Sequence, residues 1–265
     1  MTTAPDLLAT MVAAARRAVD VRSGLVPLAQ LERGLEPRDG ARRFAETLRD
    51  GPAPRVIAEC KRRSPSRGIL RQDYRPAAHA RAYEQAGAAA VSVLTEPTFF
   101  DGSLDHLRDV RAATHIPILR KDFIVTRYQI VEAAAAGADA VLLIVGALSG
   151  DELAARLADA RGVGLGALVE VHDRDELSRA VGAGAQVIGV NSRNLKTLAV
   201  EPRLHDDLSG NMPPSVIAVA ESGLRSAEDV RRLRDAGYRA FLIGERFMTE
   251  HDPGAALKRL READG

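Results

Sequence analysis

From residue 55 onward, short runs of aliphatic and β-branched residues recur eight times, at 56–58, 90–94, 116–119, 140–145, 166–169, 187–190, 216–220 and 240–243. The spacing, roughly 20 to 35 residues, suits a strand, a helix and two loops per unit. Ala-, Arg- and Glu-rich stretches with helical periodicity separate the runs. Four of these end alike, with Gly87, Gly137, Gly182 or Gly237 beside alanine or tyrosine just before the next run. Each of these glycines is expected just past a helix, where φ > 0 is needed. Eight consecutive βα units predict a closed parallel (β/α)8 barrel, the TIM-barrel architecture, rather than an open doubly wound sheet. The runs are nearly all apolar, as strands are when both faces are covered. No G-x-G-x-x-G follows the first run, which disfavours a dinucleotide-binding fold. No linker interrupts the pattern, so residues 55–265 read as one barrel domain.

Residues 1–54 read as an N-terminal helical extension packed on the barrel. Leu7, Leu8, Met11, Val12, Ala15 and Val19 recur at helical spacing, and Gly24 lies just past the pattern. Short helices are expected at 28–35 and 41–49. A plain packing role and a lid or partner-binding role both remain open for this extension. Lys and Arg number 37 against 36 Asp and Glu, so neither nucleic acid nor an anionic membrane surface is expected as a partner. One cysteine excludes an intrachain disulfide and fits a reducing, cytoplasmic setting. Residues 1–6 lack a basic stretch leading into an apolar core, so no signal peptide is expected. No run of 18 apolar residues predicts a membrane span.

In such barrels chemistry sits at the C-terminal ends of the strands. The first run continues into Glu59, Cys60 and Lys61, then into a loop with Ser64, Ser66 and Gly68. Glu59 and Lys61 lie two apart, so on an extended strand they share a side. The other runs end in Thr95-Glu96, Arg120-Lys121-Asp122, Glu170, Asn191, Glu221-Ser222-Gly223 and Gly244-Glu245; only the fourth ends apolar, at Val145-Gly146. Any one of these is an ordinary loop charge facing water. Together, at a barrel mouth, two lysines and three glutamates form a set suited to proton transfer near neutral pH. Small residues after the seventh and eighth strands suit phosphate, and Ser226 with Asp229 reads as a helix start. The substrate inferred is a small phosphorylated anion. The six histidines are scattered without a ligand pattern, so no metal site is expected. Cys60 alternates away from Glu59 and Lys61 and reads as core. Phe100 and Phe123 could pack on a flat ring or simply be buried.

These residues stand in motifs that resemble the indole-3-glycerol phosphate synthase family. The motifs are IAECKRRSPSRG at 57–68, SVLTEPTFFDGS at 92–103, PILRKDFIV at 117–125 and ADAVLLIV at 138–145. They continue with ALVEVHD at 167–173, IGVNSRNLKTL at 188–198, VAESGL at 219–224 and FLIG at 241–244. They span the barrel in order. The resemblance implies a carbon–carbon lyase of tryptophan biosynthesis that needs no cofactor. It would close 1-(o-carboxyphenylamino)-1-deoxyribulose 5-phosphate to indole-3-glycerol phosphate, releasing CO2 and water. It implies Lys121 as general acid for ring closure and Glu170 as base or acid of the dehydration. Lys61 would bind the anthranilate carboxylate, with a possible share in proton transfer, and Glu59 and Glu221 would orient the lysines and sugar hydroxyls. Asn191, Arg193 and Ser222 would hold the carboxylate and its polar neighbours. Ser64, Gly223 and Gly244 would bind phosphate, and Phe100, Phe123 and Leu142 would face the aromatic ring.

One position departs from that pattern. The family commonly carries a small hydroxyl residue after the last strand's glycine, and here it is Glu245. A carboxylate facing phosphate repels it, so Glu245 is expected to turn outward and offer only its backbone N–H. The resemblance carries no expectation of a tight oligomer; a monomer or weak homo-oligomer is expected. Two other readings stand beside it: another sugar-phosphate barrel, such as a phosphoribosylanthranilate isomerase-like enzyme, and a non-catalytic phosphate-binding scaffold. A scaffold has no use for buried charges that lower stability.

Overall fold

Alternation along eight strands builds the barrel. In this computed structural model, which describes residues 6–37, 39–195 and 197–264, the strands are β1 (Arg55–Cys60), β2 (Ala90–Leu94), β3 (Ile118–Lys121), β4 (Ala140–Ile144), β5 (Gly166–Val171), β6 (Val187–Asn191), β7 (Ile217–Glu221) and β8 (Ala240–Ile243). All pairings are parallel, each strand with the next in sequence, and β1 with β8 closes the ring. On β1, Val56, Ala58 and Cys60 pack outward against the helices, while Ile57 joins the interior cluster and Glu59 follows it on the same side. Leu119, Leu142, Leu168, Val219 and Leu242 fill the interior in the same phase. The barrel is therefore a packed core with its polar groups confined to one end.

The strands run one or two residues further than their apolar runs at β1, β3, β5, β6 and β7. The extra residues include Glu59, Lys121, Glu170, Asn191 and Glu221, because ladder hydrogen bonds continue where hydrophobicity stops. Helices α1 (Leu7–Leu25), α2 (Leu28–Arg33) and α3 (Gly40–Asp50) precede the barrel. Gly24 lies inside α1, not beyond it: the helix continues to Leu25, and Val26 N–H bonds back to the Arg22 carbonyl at 2.8 Å. Phe44 and Leu48 of α3 are fully buried in the interior cluster, and Phe44 meets Gly166 at the start of β5. α3 thus plugs the N-terminal end of the barrel. Met11 of α1 reaches the opposite end and lines the cleft there.

The outer helices that matter below are α4 (Pro76–Gln85), α5 (Pro97–Phe100), α6 (Leu104–Ala113), α7 (Arg127–Ala136), α8 (Gly150–Gly162), α9 (Arg174–Gly182), α10 (Leu204–Ser209), α11 (Ala227–Asp235), α12 (Glu245–Met248) and α13 (Pro253–Asp264). Gly87, Gly137 and Gly237 take positive φ beyond their helices. Gly182 does not. It closes α9, and the left-handed position falls on Gly184, with φ 77°. Ser226 caps α11, accepting the Asp229 N–H at 3.1 Å while the Asp229 carboxylate accepts the Ser226 N–H at 2.9 Å. Among the described residues no helix is long and apolar enough to cross a membrane.

Candidate active site

The strand ends enclose a cleft of about 300 Å³. Lys121, at the end of β3, lies at its floor with its side chain 13% exposed. Its Nζ donates to Glu170 Oε2 on β5 at 2.9 Å and sits 3.3 Å from Glu221 Oε2 on β7. Across the mouth, Lys61 Nζ donates to Glu59 Oε2 at 2.5 Å. Glu59, Glu170 and Glu221 are all buried. A mutually neutralising cluster is how such a site escapes the desolvation penalty of each charge alone.

The charges divide unevenly. Burial would push the Lys121 ammonium down, but Glu170, Glu221 and Glu59 outweigh it and hold the ammonium above its ordinary range. Burial also opposes ionisation of Glu170. Lys121 and then His172 overcome it and hold the Glu170 carboxyl well below the usual range. Glu221 goes the other way. Burial, with the charges of Glu170 and Glu59 nearby, pushes it up to about 8 against the pull of Lys121, and neither of its oxygens has a hydrogen-bond partner among the described residues. Of the two glutamates beside the Lys121 ammonium, Glu170 is thus the one favoured in its ionised form and Glu221 the one that holds a proton more readily.

The backbone makes room for these side chains at two glycines. A Cβ on Gly189 would lie 2.0 Å from Glu221 Oε1, and one on Gly244 would lie 2.2 Å from Glu59 Oε2. Gly244, expected from the sequence as a phosphate residue, thus admits the Glu59 carboxylate. Gly189 was not among the sequence candidates, since a glycine within an apolar run carries no sign of what folds over it.

On the other side of the cleft lie Ser64, Ser222, Gly223, Gly244 and Glu245. Ser64 sits in a two-residue ribbon, Arg63–Ser64 paired with Gly68–Ile69, and its hydroxyl is 3.5 Å from that of Ser66. Ser222 and Gly223 both adopt left-handed φ, 65° and 72°. For Ser222 that is a strained conformation of the kind that collects at functional turns. Arg193 spans three elements. Its guanidinium donates to Ser66 Oγ at 3.3 Å, to the Leu198 carbonyl at 3.1 Å and to Glu245 Oε2 at 3.3 Å. Asn191 Oδ1 accepts the Arg193 N–H at 3.0 Å. Glu245 therefore does not point away from the site. Its carboxylate is matched by Arg193 and, at 3.7 Å, by Arg67.

Phe100 and Phe123 face each other at the mouth, ring centroids 6.4 Å apart, with Leu142 beneath them in the cleft wall. Glu96 contributes no free charge; its carboxylate caps α5, accepting from Thr98, Phe99 and Phe100. Arg120 leaves the mouth, and Asp122, though it borders the cleft, turns its carboxylate to Thr95 and Arg120. Arg120 is fully buried behind the barrel wall and donates to Thr95, Asp122, Glu132 and the Gln129 carbonyl. Cys60 is buried in the outer layer, where burial pushes its thiol up. Met11, Leu195, Leu198, Val200, Arg225 and Arg246 also line the cleft. They come from the extension, from loops and, for Arg246, from the short helix α12, where periodicity says nothing about what reaches the site.

The sequence has relatives among known proteins. Residues 8–260 match the family model described as indole-3-glycerol phosphate synthase. Indole-3-glycerol phosphate synthase 2 of Streptomyces coelicolor is 50% identical over 254 residues, covering 96% of this chain and 98% of that protein. Indole-3-glycerol phosphate synthase of a Nocardioides strain is 49% identical over 259 residues, covering 96% and 98%. Among solved structures, thiamine phosphate pyrophosphorylase from Pyrococcus furiosus superimposes with a TM-score of 0.60 at 16% identity, covering 83% of this chain and 96% of that one. That likeness concerns the fold alone.

Proposed function

The chain belongs to the indole-3-glycerol phosphate synthase family, and on that premise we propose how the groups at its barrel mouth share the chemistry. The reaction takes 1-(o-carboxyphenylamino)-1-deoxyribulose 5-phosphate to indole-3-glycerol phosphate, CO2 and water. The ring carbon bearing the carboxylate attacks the sugar carbonyl carbon, and the carbonyl oxygen takes a proton from Lys121. The carboxylate leaves as CO2, and its bonding pair restores the aromatic ring. The new hydroxyl then leaves as water with a second proton, and the methylene beside nitrogen yields one to a base. Two protons enter and one returns, so one is taken up overall.

The observation that carries this reading is the buried Lys121 ammonium held charged between Glu170 and Glu221. An acid must be protonated before the carbonyl arrives, and this one is. Glu170, ionised beside it, is the base for the methylene proton. Lys61, aligned by Glu59, meets the substrate carboxylate and, once CO2 has left, can give the second proton. Glu221 helps set the position and charge of Lys121 and meets the sugar hydroxyls. Asn191 and Ser222 hold the polar groups around the carboxylate. Phe100, Phe123 and Leu142 flank the aromatic ring, where apolar walls strengthen the charges inside. Ser64, Gly223 and Gly244, with Arg193 above them, take the phosphate.

The chain has no tryptophan, so indole emission rises from a low background. Mixing the protein with the carboxyphenylamino substrate, without added cofactor, is expected to give that rise. Glu170→Gln is expected to lower turnover by about 10²–10⁴-fold, with little change in KM. No rise with the unaltered protein would overturn the whole assignment. A Glu170→Gln enzyme near normal turnover would remove Glu170 from the chemistry alone.

Glu245 supports a second, smaller expectation. Its carboxylate competes with substrate phosphate for Arg193 and Arg67, through partly exposed pairs worth about 0.2–1 kcal/mol. Glu245→Ser should therefore lower KM about two- to fivefold and leave kcat within a factor of about two. An unchanged KM would mean that these arginines do not meet the phosphate. Four large apolar residues are exposed among the described ones, Val21, Leu25, Ile69 and Val181. That is too little for an obligate interface and supports a monomer or weak homo-oligomer. The balanced charge and lone buried cysteine support a cytoplasmic enzyme without a nucleic-acid partner.

A further inference from the structure

His172 lies two residues beyond Glu170 and on the same side of the chain, but it does not line the cleft. Its ring is wedged between two carboxylates. Nε2 is 3.2 Å from Glu170 Oε1, and Nδ1 is 3.1 Å from Glu176 Oε2. Glu176 is itself fixed in the first turn of α9. Its N–H donates to the Asp173 carboxylate at 2.7 Å, and its Oε2 also accepts the His172 backbone N–H at 2.8 Å. Nδ1 hydrogen-bonds Glu176, whereas Nε2 lies within ion-pair reach of Glu170 Oε1 without hydrogen-bond geometry; neither carboxylate can donate when ionised, so a proton on each nitrogen is the form that both favour. A partly buried imidazole ring, flanked by two carboxylates, thus stands directly behind Glu170.

We propose that His172 is a positioning residue for the reaction: an imidazolium clamped between Glu176 and Glu170 that keeps Glu170 ionised and leaves the proton of the glutamate pair on Glu221. The proposal rests on the reading of Glu170 as base. Glu170 and Glu221 both flank Lys121, and Glu59 adds a third negative charge across the mouth. By symmetry either glutamate could hold the proton. The symmetry is broken on one side only: the free oxygen of Glu170 has a second cation 3.2 Å away, whereas Lys121 is the one cation within ion-pair reach of Glu221 among the described residues. The groups facing the clamp are Glu176 from α9, Glu170 from β5 and, through Glu170, Lys121 from β3 and Glu221 from β7. Burial would lower the imidazole's pKa, but the carboxylates of Glu170 and Glu176 beside it raise it to about 10, which favours the charged ring in the neutral range.

The test has two independent readouts. With 15N-labelled histidine, the His172 signal, identified by its loss in His172→Gln, should show both ring nitrogens protonated at pH 8. Glu176→Gln should bring its titration down toward the ordinary histidine range. In turnover, His172→Gln keeps an N–H donor but loses the charge. It should lower kcat at least tenfold, leave KM within about threefold and move the acid limb of the kcat profile up by about one pH unit or more. A neutral His172 ring at pH 7, or a His172→Gln profile that superimposes on the unaltered one, overturns the proposal. The NMR titration does not depend on turnover, so it separates the two claims. An active Glu170→Gln enzyme with a charged His172 ring would sink the base assignment, and with it the purpose of the clamp. An inactive Glu170→Gln enzyme with a neutral ring would sink the clamp alone.

Discussion

Lys121→Met is expected to lower turnover by about 10³-fold while the barrel stays folded. A positioned general acid contributes about 10²–10⁴, and at the floor of a closed cleft water is a poor substitute. The effect on stability is expected to depend on pH, with a sign that the charges fix. Glu170 is depressed first of all by Lys121, so in the unaltered protein it contributes stability above the unfolded carboxyl pKa, about 4.3, and loses it as pH falls through the folded value. Without Lys121 its pKa rises, and two buried glutamates face each other with only His172 to offset them. At pH 8 that is unfavourable. At pH 5 Glu221 is protonated and Glu170 can begin to follow. The gap in Tm between the two proteins should therefore be smaller at pH 5 than at pH 8, read by circular dichroism alongside the indole assay. A variant that keeps a tenth of normal turnover would disqualify Lys121 as the acid.

Much of this cluster is legible in the amino-acid order, and the rest is hidden for identifiable reasons. The eight strands announce themselves because a buried parallel strand has to be apolar on both faces. The same rule hides their ends. Counting apolar residues stops at Ala58 or Val169, whereas the ladder runs on to Cys60 and Val171. Glu59, Lys121, Glu170 and Glu221 are therefore strand residues, held more firmly than loop residues would be, and Lys61 follows directly on the end of β1. The third strand shows what phase adds. Arg120, Lys121 and Asp122 are adjacent and all charged, but only Lys121 follows Leu119 on the inner face. Arg120 instead anchors α7 through Glu132 and the Gln129 carbonyl. Alternation says that two neighbours face opposite ways, but register against β2 and β4 decides which one faces in.

His172 and Glu245 were hidden differently. A histidine without a ligand pattern looks like any other, and the meaning of His172 comes from Glu176 on a separate helix. The Glu245 carboxylate is matched by Arg193 and Arg67, which lie far from it in sequence. Charge complementarity across more than 50 residues leaves no local mark. Gly182 and Gly184 show a milder version of the same limit. Both are glycines near the end of α9, and only the geometry of the last turn decides which takes the left-handed position.

Gly189→Ala is expected to damage the site as severely as the loss of a charged group, though it adds one methyl. The new Cβ would fall 2.0 Å from Glu221 Oε1 and 3.2 Å from Leu168 Cδ1. Glu221 is the long side chain that could move, but it is buried on every side and its place beside Lys121 is what the cluster needs. Either the strand shifts or the carboxylate leaves. Overpacking of this kind lowers stability by about 1–3 kcal/mol, a loss of several degrees in Tm. Turnover should fall at least tenfold because Lys121 loses one of the two carboxylates beside it. The cause can be isolated, because Glu221→Ala removes the group that collides. If the clash with Glu221 is responsible, Gly189→Ala should lower Tm much less in the Glu221→Ala background, with a coupling of about 1 kcal/mol or more between the two sites. Equal losses in both backgrounds would place the damage in the strand itself, and Gly189 would be a residue of the barrel wall rather than the space that Glu221 occupies.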